Sequence, residues 1–87
     1  MTRQGHILVV DDNLLNRKLL GRALEEQGYR VSLAEDGRCA LDALAGAAPP
    51  IDVVLLDILM PGLDGYATLS QIKAADALRH LPVIMIT

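Results

Sequence analysis

Three aspartates stand where an apolar run breaks into a polar turn. Asp11 and Asp12 follow the run His6–Val10, and Asp57 follows the run that begins at Asp52 and passes through Val53-Val54-Leu55-Leu56. Carboxylates offer hard oxygen donors to a cation, and a single carboxylate can also act as a nucleophile. If both runs are neighbouring strands of a parallel sheet, the three groups converge on one small pocket outside the strands' carboxyl ends, where open α/β sheets bind their ligands. Two unit charges about 4 Å apart repel by roughly 4 kcal/mol at an effective dielectric near 20. Three anions gathered there need a counter-cation or must share protons. A hard divalent ion such as Mg²⁺ suits them, since it is commonly held by few carboxylates together with water and phosphate. The competing explanation for Asp11-Asp12-Asn13 is helix capping, which needs no ligand. Asp57 weighs against it, because a charged residue that ends a buried apolar run has no capping duty. Asp64, which precedes Gly65 and a helical pattern, is explained by capping alone.

The other reactive side chains read as structural. Cys39 is the single cysteine, so it has no internal disulfide partner, and its Ala and Leu neighbours suit a small buried thiol in a reducing compartment. His6 begins a strand at the far end of the sheet, and His80 lies in a loop before Pro82. Neither has a second metal-type ligand at a useful spacing. Tyr29 and Tyr66 read as packing residues and Lys73 as a solvated charge.

Composition narrows the partners. The 87 residues form one domain, spanning 1–87, with 52% apolar residues and a core that must be aliphatic, since only two aromatics occur. A net charge of −3 and scattered basic residues leave no basic face for nucleic acid. No run reaches the ~20 apolar residues that a membrane-spanning helix needs, and only the short run His6–Val10 follows the N-terminal basic residue, where a signal peptide would require a long apolar stretch. A cytoplasmic protein is expected.

The elements that would position the aspartates alternate regularly. His6–Val10 suits a parallel strand buried on both faces. From Leu14 to Gln27, Leu15, Leu19, Leu20, Ala23 and Leu24 share one helical face, with Arg17, Lys18 and Glu25 opposite. Asn13 can cap this helix, and Gly28 suits the left-handed residue that ends it. Arg30–Ala34 is a second strand. Asp36-Gly37 opens a helix with Ala40, Leu41 and Leu44 inward, closed by Gly46 and Pro49-Pro50. Asp52–Leu56 is a third strand, Met60-Pro61-Gly62 a turn, and Asp64 caps a helix running to about Ala75 with Leu69 and Ile72 inward. Pro82–Ile86 is a fourth strand. The order β-α-β-α-β-α-β implies a doubly wound parallel sheet of the flavodoxin-like α/β class.

At this point five segments closely resemble the receiver domains of two-component response regulators. They are Ile7-Leu8-Val9-Val10-Asp11-Asp12-Asn13, Gly28-Tyr29-Arg30-Val31, Ala34-Glu35-Asp36-Gly37 with Ala40-Leu41, Asp57-Ile58-Leu59-Met60-Pro61-Gly62-Leu63-Asp64-Gly65, and Leu81-Pro82-Val83-Ile84-Met85-Ile86-Thr87. All fall in the family's order and spacing. The resemblance implies that Asp57 takes a phosphoryl group from a phosphohistidine on a sensor histidine kinase. It implies that Asp12 binds Mg²⁺ directly, Asp11 through water, and the backbone carbonyl of Leu59 as a further ligand, beside Asp57. It implies that the Thr87 hydroxyl contacts the phosphoryl group and reorients on phosphorylation, and that Met60-Pro61 shapes the adjoining loop. The domain is thus expected to be a phosphoacceptor switch rather than an enzyme in its own right.

Family members ordinarily continue through a further helix, a fifth strand and a last helix, with a phosphate-neutralising lysine and an aromatic coupling residue; the receiver pattern would therefore extend beyond residue 87. The fourth strand would otherwise form an edge, and an apolar edge invites self-association. Two other functions compete. One is a receiver-like interaction fragment that takes no phosphate. The other is an enzyme on the same fold, disfavoured because a phosphatase of this kind wants Asp-x-Asp and a nucleotide binder a glycine-rich first turn.

Overall fold

The structure, a computed structural model, describes residues 5–46, 50–58 and 65–86. Its elements are β1 (His6–Val10), α1 (Leu14–Glu26), β2 (Arg30–Ala34), α2 (Gly37–Gly46), β3 (Val53–Asp57), α3 (Gly65–Ala74) and β4 (Val83–Ile86). The expected order is observed, with boundaries shifted by a residue or two. The turn at Met60-Pro61-Gly62 and the cap at Asp64 lie outside the described residues, as does Pro49.

The four strands are parallel and ordered β2-β1-β3-β4, the flavodoxin-like arrangement. β1 is interior, with Ile7 opposite Val31 on one side and Val53 on the other. Every residue of β1 is buried, which is why this strand must be an unbroken apolar run rather than an alternating one. His6, at its start, is buried too: its Nε2 lies 2.7 Å from Ser32 Oγ, and its backbone N–H donates to Asp52 Oδ2. The expected structural role for His6 holds.

One face of the sheet carries the main core. Leu8, Val10, Val54 and Leu56 are fully buried there, joined by Ala34, Ala40, Ile51 and Leu81. Cys39, Ala43 and Leu44 of α2 and Leu69 of α3 pack against them. Each fully buried aliphatic side chain contributes about 1.5–3 kcal/mol, so this layer supplies most of the drive to assemble the strands.

The opposite face is covered less evenly. α1 lies over β2 and β1, close enough that a methyl group on Gly21 would sit 3.2 Å from the Leu33 side chain. Asn13 caps it by accepting from the Asn16 N–H, and Gly28 ends it at φ +95°. The expected inner face is corrected here. Leu20 and Leu24 are half-buried, but Ala23 is exposed and Leu15 and Leu19 are 64% and 60% exposed. The reason is lateral placement: α1 sits over the β2 side, so the rest of its apolar arc points past β1. Ile84 on the edge strand β4 is also exposed, and no helix among the described residues covers it.

Three side-chain expectations also change. Tyr29 and Tyr66 are largely exposed rather than packed inside. Lys73 is not simply solvated: its ammonium donates to the carbonyls of Arg79 (3.1 Å) and Leu81 (2.9 Å), tying the end of α3 to the segment that leads into β4. It remains remote from the strand ends that carry the aspartates.

α3 begins against the end of β3. A Cβ on Gly65 would collide with Ile58 Cα and the Asp57 carbonyl oxygen, both backbone atoms that cannot swing aside. Gly65→Ala should therefore destabilise the fold by about 1–3 kcal/mol, the usual range for overpacking a tight contact. A urea melt of the variant reads this as a lower midpoint. An unchanged midpoint would mean that α3 does not press on the Asp57 backbone.

Candidate acidic site at the strand ends

The pairing of β1 with β3 builds the site. Val10 lies opposite Leu56, so Asp11 and Asp57 leave the sheet side by side at the same edge. These two strands flank the point where strand order reverses, the position at which doubly wound sheets open a crevice. Asp12 completes the group: carboxylate oxygens of Asp11, Asp12 and Asp57 all lie within 4.8 Å of one another. Asp11 and Asp57 are 7% and 8% exposed, whereas Asp12 faces solvent. β4 borders the same edge, with Ile86 opposite Asp57 and the Ile58 N–H donating to the Ile86 carbonyl. A cleft of about 450 Å³, lined by Asp11, Asn16, Leu19, Leu20 and Ile86, opens alongside.

The turn after β1 is held at three points on Asp11. Its N–H donates to the Ala34 carbonyl at 3.1 Å, at the end of β2. Its carboxylate accepts the Asn13 N–H at 2.8 Å. Its carbonyl accepts from Arg17 Nη1 at 2.9 Å. Capping of α1 falls to Asn13, which leaves the Asp12 and Asp57 carboxylates without that duty. The purely structural account of the acidic turn therefore covers only part of it.

Electrostatics agree. The Asp11 carboxyl is held above its ordinary value of 3.8, first by burial and then by the nearby charges of Asp57 and Asp12, against the lowering effect of the Asn13 N–H. Burial penalises the charged form, and neighbouring anions do so again. The donor set is all carboxylate oxygen, which fits a hard divalent cation and not a thiophilic metal. A second grouping, Glu35, Asp36 and Cys39, has a simpler explanation. Asp36 caps α2 by accepting the Cys39 N–H at 2.8 Å. That bond lowers the Asp36 carboxyl, and the Cys39 thiol, hydrogen-bonded to the same carboxylate, is pushed up.

Of the residues singled out in the sequence, Asp11, Asp12 and Asp57 are thus brought together. Leu59, Met60-Pro61 and Thr87 lie outside the described residues. Two contributors were not read from the sequence. Arg17 was assigned to the outer helix face, and Gly65 to no role beyond following a cap. Arg17 stands six residues beyond Asp11, a reach that only the built turn makes visible.

Residues 7–87 match the family model of the response regulator receiver domain. The chain belongs to the response-regulator receiver family. It is 44% identical over 83 residues to the response regulator PleD of Caulobacter vibrioides, a match that covers 95% of this chain and 18% of PleD. It is 44% identical over 81 residues to the response regulator MprA of Mycolicibacterium vanbaalenii, covering 93% of this chain and 33% of MprA. The receiver therefore spans a minor part of these relatives' length. Among solved structures, the N-terminal domain of a response regulator receiver protein from Methanoculleus marisnigri superposes with a TM-score of 0.88 at 45% identity, covering 94% of this chain and 65% of that one. The receiver domain of a sensor histidine kinase from Pseudomonas aeruginosa, solved with magnesium coordinated in its active-site cleft, gives a TM-score of 0.88 at 34% identity, covering 98% of this chain and 68% of that one. No helix of the described residues is long and apolar enough to cross a membrane.

A carboxyl whose pKa is raised by folding adds stability in acid and loses it as pH rises through the raised value. The receiver should accordingly be strained at neutral pH by an ionised Asp11. Asp11→Asn keeps an oxygen for the Asn13 N–H and removes the charge. In EDTA at neutral pH its thermal midpoint should lie above the wild type's. The advantage should shrink as pH falls toward 3.8, the ordinary aspartate value. A midpoint difference that does not change with pH would refute the repulsion.

Proposed function

We propose that this receiver is a cytoplasmic phosphoacceptor module of a two-component system, taking a phosphoryl group from a sensor histidine kinase onto Asp57. The observation that carries the reading is the convergence of Asp11, Asp12 and Asp57 at the β1–β3 edge, with Asp57 at the end of a buried strand. Family membership and the magnesium-bearing relative support it.

Asp57 is suited to in-line attack because β3 fixes its backbone between β1 and β4. One carboxylate oxygen would form a bond to phosphorus as the bond to the histidine nitrogen breaks, and the imidazole leaves. The product is an acyl phosphate, labile to hydrolysis and so suited to a switch that resets. Phosphoryl transfer asks for positioning and charge neutralisation rather than elaborate acid–base groups, and no histidine stands in this cluster. Asp12, exposed at the rim, and Asp11, buried behind it, would hold Mg²⁺ together with Asp57 and the Leu59 carbonyl. Bound there, Mg²⁺ offsets negative charge on the carboxylate and on the incoming phosphoryl oxygens. Thr87, next along from Ile86, would offer its hydroxyl to the phosphoryl group. The domain acts as a substrate and switch, not as an enzyme on a separate molecule. It has neither a nucleic-acid partner nor a membrane partner through this segment.

A second reading has its own observation. The apolar edge strand β4 and the exposed Leu15, Leu19 and Ile84 favour a protein-interaction fragment that takes no phosphoryl group and self-associates through β4.

Incubation with a small radiolabelled phosphodonor separates the two. Mg²⁺-dependent, hydroxylamine-labile label on the wild type, falling to background in Asp57→Asn and in EDTA, is expected. Label that persists in Asp57→Asn rejects Asp57 as acceptor. No label on a folded wild type, with a dimer on size exclusion, favours the interaction fragment instead.

A further inference from the structure

Arg17 is the cationic side chain whose bond reaches the acidic turn, and it spends its hydrogen bond on a carbonyl. Its Nη1 donates to Asp11 O at 2.9 Å, while its own backbone N–H donates to Asn13 O at 3.0 Å in the first turn of α1. The side chain is half-buried and lines the same cleft as Leu33, Ala34 and Glu35, between α1 and the end of β2. An arginine so placed could have paired with a carboxylate of the cluster; the groups that act on Asp11's charge are instead Asn13, Asp57 and Asp12.

We propose that Arg17 is a positioning residue for the cation site: it locks the peptide between Asp11 and Asp12 without serving as the counter-ion of the carboxylates. This rests on the reading of the site as one that takes a divalent cation. The carbonyl of Asp11 and the N–H of Asp12 belong to one rigid peptide plane. Fixing that oxygen fixes the direction in which the chain enters Asp12, the exposed member of the trio. The other anchors hold Asp11 by its N–H and its carboxylate, whereas Arg17 is the group that bonds the carbonyl of that plane. If the plane turned, Asp12 would swing away from Asp57 and the Asn13 N–H would leave the Asp11 carboxylate. Arg17 thus stands to the site as an outer-shell group stands to a ligand, oriented on the residue that does the binding.

The proposal predicts a sign. A guanidinium that acted through charge would repel the incoming cation, and its removal would tighten binding. A guanidinium that positions the turn would, when removed, loosen it. Mn²⁺ binding to the 87-residue chain can be measured from loss of the free-ion electron paramagnetic resonance signal, well below the melting midpoint of each protein. Arg17→Gln should weaken Mn²⁺ binding by about tenfold, the lower end of outer-shell effects. Arg17→Lys, which can still donate to the carbonyl, should recover part of the loss. Affinity in Arg17→Gln equal to or tighter than wild type overturns the proposal, provided Asp12→Asn abolishes binding. A wild type that binds no Mn²⁺ overturns the cation reading itself, and this inference with it. Should Arg17→Gln fail to fold, nitrogen-15 spectra of the wild type decide. A restrained Arg17 guanidinium, with separately resolved Nη protons that shift when Mg²⁺ is added, is expected; a freely rotating, unresponsive one overturns the proposal.

Discussion

Mutual repulsion of carboxylates at the β1–β3 edge is the constraint around which the rest of this receiver is arranged. Asp11 and Asp57 are forced together because Val10 pairs with Leu56, and that pairing is not negotiable. Both strands carry side chains that are fully buried, and separating them would expose Leu8, Val10, Val54 and Leu56. At about 1.5–3 kcal/mol per side chain, that burial exceeds the roughly 4 kcal/mol that one close charge pair costs at intermediate dielectric. The core therefore wins, and the charges stay where the strands leave them. A site that is uncomfortable when empty of cations is a direct consequence of strand pairing.

The local structure limits how that repulsion could be relieved. Asp11 has little freedom to withdraw: β2 holds its N–H through Ala34, and the start of α1 holds its carboxylate through Asn13. Asp57 is fixed by its pairing with Ile86 of β4, by the Leu56–Val10 pair that precedes it, and by Gly65, whose lack of a side chain lets α3 sit directly on the Asp57–Ile58 backbone. Only Asp12 is exposed. The trio thus combines two rigid buried carboxylates with one at the rim, where a cation would arrive from water. Protonation of the raised Asp11 and capture of a hard cation are the two remaining outlets, and they compete.

Much of this was legible in the chain. Continuous apolar runs announced buried parallel strands, and the alternation of elements gave the sheet class. The break from Val10 to Asp11 and from Leu56 to Asp57 located the site. What was not legible depended on lateral placement. Helical periodicity defines an apolar arc on α1 but not which part of it meets the sheet, so Leu15 and Leu19 were assigned inward and lie outward. Tyr29 and Tyr66 were assigned to packing on residue type alone, and type does not specify depth. The sequence reads Lys73 as a solvated charge and places Arg17 on the outer helix face, because their partners are backbone carbonyls, which a sequence presents everywhere and so marks nowhere. Gly65 hid in the same way, its role being the closeness of another segment's backbone.

The two faces of the sheet bear on the site through β4. One face is sealed by α2 and α3 over a common core, while on the other α1 leans toward β2 and leaves Ile84 bare. β4 pairs through Asp57 itself, with Ile86 directly opposite and its carbonyl taking the Ile58 N–H. A displacement of this edge strand would move one wall of the acidic crevice without disturbing the β1–β3 pair that brings the carboxylates together. Lys73 limits such movement at the other end, by bonding the carbonyls of Arg79 and Leu81 just before the strand begins. The charge cluster is thus anchored by the β1–β3 pair and bordered by β4.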